Sequence, residues 1–88
     1  MFYATCSTEA SAGTKVANLS GTSVFRLETG ASVTVNFTNQ NTASNPKLEI
    51  KAGTSSYGVK DIWVNGKSMT NDIYYWEKGD SLVFVYDG

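Results

Sequence analysis

The chain has 88 residues, 41% of them hydrophobic, with seven basic and eight acidic side chains and no histidine. A domain of this size folds on a modest apolar core. Its net charge of -1, with the basic residues spread singly, excludes the cationic face that nucleic acid or an anionic membrane surface would need. The single cysteine, Cys6, excludes an internal disulfide, and no apolar run approaches the ~20 residues of a membrane-spanning helix.

Residues 1–14 are small and polar after Phe2 and Tyr3 and predict an extended lead-in or loop. No positive end followed by an apolar run is present there, so synthesis in the cytoplasm without a signal peptide is expected. Cys6 is expected to be a buried filler, because activating a thiol takes a base and a device that lowers its pKa. Lys15 to Ser20 alternates as a short strand, with Ala17 and Leu19 on one side and Val16 and Asn18 on the other. Ser23 to Thr29 predicts a second strand, with Phe25 and Leu27 on one face.

After a turn at Thr29-Gly30, the segment Ala31 to Thr38 carries the clearest pattern in the chain. Val33, Val35 and Phe37 fall on one side, and Ser32, Thr34, Asn36 and Thr38 on the other. Only a pleated strand has that period of two. Asn39 to Pro46 reads as a loop rich in local side-chain bonding. Lys47 to Ala52 alternates again, with Leu48, Ile50 and Ala52 inward and a charged outer face.

Gly53 to Gly58 predicts a flexible loop and Val59 to Val64 a strand, with Ile62 and Val64 on one face and Trp63 on the other. Asn65-Gly66 is a tight hairpin signal, because both turn positions favour positive φ. Asn71-Asp72 is a further turn, and Ile73 to Trp76 is an aromatic run. Ser81 to Tyr86 closes the chain with apolar residues on both faces, which predicts a strand covered on two sides. Without an amphipathic helical stripe anywhere, the sum is one all-β domain over residues 1–88. The expected form is a small antiparallel β-sandwich or flattened barrel of about seven short strands.

The residues offer little for catalysis. Without histidine there is no Ser-His-Asp triad, and one cysteine cannot build a zinc site. The carboxylates sit at turns or on polar strand faces, where solvation and turn capping account for them. Asp72, Glu77 and Asp80 bracket one region but match no calcium loop, and the glycines form no phosphate-binding loop. No catalytic residue, metal site or cofactor is therefore assigned, and a non-enzymatic role is expected.

The aromatic residues of the second half are the better lead. Tyr57, Trp63, Tyr74, Tyr75 and Trp76 have flat faces that stack on sugar rings, with Asn and Asp nearby to bond hydroxyls. Packing in a core or at a subunit contact is the first reading for them. A glycan platform of Trp63, Tyr74 and Trp76, with Tyr57 beside it, is the second. Tyr74 and Trp76 share a face in an extended strand, and Tyr75 does not.

The order of these signals resembles a small β-module of tail, baseplate and fibre-associated structural proteins of phages and prophages of Gram-positive bacteria. The matching pieces are Tyr3-Ala4-Thr5-Cys6-Ser7-Thr8, Lys15-Val16, and Thr29-Gly30 leading into Val33, Val35 and Phe37. Asn41-Thr42-Ala43, Pro46, Leu48, Ile50, Asn65-Gly66 and Phe84-Val85-Tyr86-Asp87-Gly88 follow. They span nearly the whole chain, although each is short. Such modules usually continue past this ending with a turn and a Trp-containing strand, which points to a piece of a longer tail protein. The resemblance implies a virion component that works by protein contacts or host-surface adhesion. Its implied partners are other tail domains, a bacterial surface glycan and, as in many fibres, two further copies in a homotrimer. It implies no catalytic residue.

Overall fold

The structure is a computed structural model that describes residues 2–20, 25–64, 66–70 and 76–87. Eight strands account for its regular structure: β1 (Phe2–Cys6), β2 (Thr14–Leu19), β3 (Ser32–Phe37), β4 (Lys47–Ala52), β5 (Ser55–Asp61), β6 (Trp63–Val64), β7 (Lys67–Ser68) and β8 (Ser81–Val85). Six of them form one sheet in the order β5-β4-β2-β1-β3-β8, and β6 and β7 form a separate hairpin. The all-β expectation holds, in the form of a curled, half-closed barrel with a small second sheet. The sheet is mixed, because β1 runs parallel to β3 and β2 parallel to β4, while the other neighbours are antiparallel.

One face of β1, β2, β3 and β4 supplies most of the core, β8 adds half-buried Leu82 and Phe84, and β5 adds only Tyr57. The register aligns Cys6 with Ala17 and Phe37, Ala17 with Ile50, and Val35 with Leu82, all on the concave side. Ala4, Cys6 and Ala17 in the two middle strands are small and buried, which leaves room for Phe37, Met69 and Trp76 to fill the concavity. The curl brings the two sheet edges near one another. Lys60 of β5 lies with its ammonium 5.9 Å from the centre of the Tyr86 ring, just past β8.

Several expectations change. The stretch taken for a lead-in contains β1, which sits between β2 and β3 near the middle of the sheet. Its inward residues after Phe2 are only Ala and Cys, so its apolar face is faint in the sequence. The strand expected over Ser23 to Thr29 is not one over residues 25–29. The main-chain bonds there are local, Glu28 N–H to the Arg26 carbonyl and Ala31 N–H to the Glu28 carbonyl. Phe25 is instead fixed by its ring, edge-on to Phe2 and to Tyr57 at 5.1 Å each. The alternation of Phe25 and Leu27 thus reflects packing of an irregular segment.

The loop expected over Gly53 to Gly58 shrinks to Gly53 and Thr54, since Ala52 already pairs with Ser55. β5 accommodates Gly58, at φ 89°, where the register shifts between Glu49 and Lys51. A bulge of this kind uses glycine because a Cβ disfavours that φ. The strand expected over Val59 to Val64 breaks at Ile62, although its faces are as read, with Ile62 buried and Trp63 exposed. Val64 pairs with Lys67 across a two-residue turn in which Gly66 has φ 79°. Asn65 lies outside the described residues. Finally, among the described residues β8 pairs with β3 alone, at the edge of the sheet, and its Val83 and Val85 are exposed where cover on both faces was expected.

Candidate functional site

The concavity of the sheet does not fill completely. A cavity of about 610 Å³ opens between β8 and the chain from Lys60 to Val64. Its floor is Val33, Leu48 and Ile50, and its walls are Leu82 and Phe84 on one side and Ile62 and Met69 on the other. Among the described residues its polar lining is Lys60, Asp61, Tyr86 and Asp87, with the Lys60 ammonium near the Tyr86 ring. Asp61 is also ion-paired with Lys47. The mouth therefore offers an apolar hollow with mixed charge at its rim.

Three large apolar side chains on this rim are exposed: Trp63 at 59%, Val83 at 62% and Val85 at 63%. Val83 and Val85 are on the outer face of β8, whose inward residues Leu82 and Phe84 border the cavity. The alternation of β8 explains both: apolar residues on both faces leave one set outside when only one face meets the core.

The four aromatic residues of the expected glycan platform have separate fates. Trp63 is exposed on β6 and borders the cavity. Trp76 is fully buried, stacked on Phe37 with ring centres 4.0 Å apart, and its indole N–H donates to the Asn39 carbonyl at 3.1 Å. A ring so enclosed offers no face to a sugar, so Trp76 is a core residue. A strand over the aromatic run is expected from the sequence; residue 76 lies outside any strand, and residues 73–75 lie outside the described residues. Tyr57 is half-buried, and its hydroxyl donates to the Phe25 carbonyl at 2.8 Å. It borders Phe25 and is not part of the cavity lining. Tyr74 lies outside the described residues. Of the platform members among the described residues, Trp63 is the one that is exposed and lines the hollow.

A second polar feature was invisible in the sequence. Lys15 on β2 is 1% exposed, and its ammonium donates to the carbonyls of Glu9 and Ala10 at 2.9 Å each. Burial pushes its pKa below the ordinary lysine value, and nearby Cys6 and Glu9 oppose that shift. The ammonium thus clamps the 9–12 turn against β2. Cys6 beside it is buried, with no sulfur face open to solvent. Around the 77–80 turn, Asp80 accepts the Glu77 N–H at 2.9 Å and Asp80 N–H bonds the Glu77 carbonyl at 3.1 Å. The Asp80 carboxylate is thereby committed to the turn, with the Glu77 main chain as its partner, and among the described residues no three His, Cys, Asp or Glu groups converge as metal ligands.

Comparison with protein-family models, curated proteins and solved structures finds no match for this chain.

Proposed function

We propose that the domain is a non-enzymatic contact module of a phage tail or receptor-binding type of assembly, acting through protein contacts or host-surface adhesion. The observation that supports this is the exposed apolar rim of Trp63, Val83 and Val85 around one hollow. Exposed apolar groups gathered at one place, with a polar margin, are what a binding surface leaves uncovered in the free protein. A glycan-binding reading rests on Trp63 alone, whose indole is open for stacking and stands at the mouth of the cavity.

The test uses the purified domain against two immobilised probes, intact tail particles and Gram-positive cell-wall preparations. Retention on tail particles supports protein contact, and retention on cell walls supports glycan adhesion. Trp63→Ala is expected to weaken whichever binding occurs by about tenfold or more, as removal of a central aromatic anchor does. Its thermal midpoint should stay near that of the parent chain, because the side chain is exposed. Retention on neither probe overturns the reading.

A further inference from the structure

The two edges of the main sheet are unlike. β5 is blunted: it carries the Gly58 bulge, Lys60 and a local bond from the Gly58 N–H to Ser56 Oγ at 3.0 Å. Bulges and lysines are the common means by which an edge refuses another strand. β8, Ser-Leu-Val-Phe-Val, has no charge, no proline, no glycine and no register shift against β3. Among the described residues its one sheet neighbour is β3.

The open groups of β8 follow from its pairing. Tyr86 N–H bonds the Ala31 carbonyl, and Phe37 N–H bonds the Asp80 carbonyl, at 2.8 Å each. Antiparallel bonding alternates along a strand, so the bonded pairs between these two are Phe84 with Val33 and Leu82 with Val35. Ser81, Val83 and Val85 consequently turn their N–H and C=O groups away from β3. These are also the residues whose side chains are exposed.

We infer that β8 pairs with β8 of a second copy of this chain, antiparallel, about a two-fold axis at Val83. That axis sets Val83 opposite Val83 and Ser81 opposite Val85. All three outward residues then exchange main-chain bonds with one another, and none is left over. A one-residue displacement of the register would set bonding residues against non-bonding ones. The same register places Gly79 of one copy opposite Asp87 of the other, so Lys78 neighbours an opposite charge. An isologous contact closes on itself, and the blunted β5 edge offers no second site for growth into a fibre. The pairing joins two six-stranded sheets and covers Val83 and Val85. Self-association through β8 draws on Val83 and Val85 of the rim described above and leaves Trp63 to an outside partner; it needs only a second copy of the chain, so it can be tested without any tail component.

The contact is small, so it is a concentration-dependent dimer. Sedimentation velocity from ~5 µM to ~1 mM, the range in which small interfaces associate, should show monomer passing to dimer. Val83→Lys places two like charges opposite one another on the axis. Val83→Pro removes an N–H that faces the second copy and leaves the bonds to β3 intact. Each should weaken association at least tenfold, while Val59→Lys on the β5 edge should leave it unchanged. Amide exchange in the unmodified chain gives an independent readout. The Val83 and Val85 amides should slow as concentration rises, whereas Leu82 and Phe84 should be slow throughout. A monomer at ~1 mM, or a dimer or trimer unaffected by both Val83 variants, would overturn the proposal.

Discussion

Trp76→Ala is expected to cost about 3–5 kcal/mol of folding stability, the largest effect of any single change considered. The indole is fully buried and stacked on Phe37, which in turn meets Phe84 edge-on at 6.0 Å. Truncation opens a cavity at the centre of the concave side and leaves the Asn39 carbonyl without its indole donor. The chain on either side is coupled to the same spot, because Asn41 N–H bonds the Trp76 carbonyl at 3.3 Å. Domains are stable by only about 5–15 kcal/mol, and small ones tend to the lower end. At roughly 4–8 °C of midpoint per kcal/mol for this size, the variant should melt at least ~12 °C lower by circular dichroism. Trp76→Phe keeps a ring against Phe37 and loses the N–H, so it should fall between the two. A Trp76→Ala midpoint within a few degrees of the parent chain would refute the core assignment.

Lys15→Glu is expected to cost about 3–5 kcal/mol, because it leaves a buried charge with no opposite partner and two carbonyl oxygens facing it. Lys15→Met is expected to stay within about 1 kcal/mol of the parent chain. The reason lies in the acceptors. Glu9 C=O also receives Ala12 N–H at 3.2 Å, and Ala10 C=O also receives Thr42 N–H at 2.9 Å. Both carbonyls therefore remain bonded when the ammonium goes. Urea unfolding of the two variants separates loss of charge from reversal of charge. Equal costs for Met and Glu would mean that the position tolerates no change of shape, and that the electrostatic account is wrong.

The pH dependence at Lys15 has a definite sign. Burial holds the folded pKa below the ordinary value of 10.5, so the unfolded chain retains the proton more readily. Between the lowered value and 10.5 the unfolded state binds more protons, and stability from this group rises with pH. Below that window the whole cost of burying the charge is present. Lys15→Met has no such group. Its stability relative to the parent chain should therefore decline as pH rises through the window, in paired unfolding curves. A difference that stays flat with pH would remove burial of the charged form as the cause.

The parts of the fold legible in the sequence are those where one face is apolar and the other polar. β3 and β4 meet that condition through Val33, Val35 and Phe37 and through Leu48 and Ile50, and they appear within a residue of where the pattern puts them. β1 fails it, because the middle of a curled sheet takes small residues, and Ala4 and Cys6 carry little periodic contrast. β8 fails it in the opposite way. Its two apolar faces are the same whether a strand is covered twice or lies bare at an edge, and only topology distinguishes them. That Trp63 faces away from Ile62 and Val64 was legible in the alternation; that this face is open to solvent was not. The burial of Trp76 depends on Phe37, far off in sequence, and no local pattern encodes that contact. Lys15 shares the inward parity of Ala17 and Leu19, the one hint that a cation would be enclosed there.

The place of β1 in the sheet has a consequence for assembly during synthesis. Within the domain β1 precedes both of its neighbours in the chain, and it is held on one side by β2 and on the other, in parallel, by β3. It cannot be completed by the neighbour that follows it and must wait for a later segment to be made. β8 follows the other strands of the domain in chain order and docks on β3, which lies well upstream. Ladders between distant segments close slowly, in the millisecond-to-second range typical of all-β domains. Removal of β1 alone would divide the main sheet into β5-β4-β2 and β3-β8, two halves with no main-chain ladder between them.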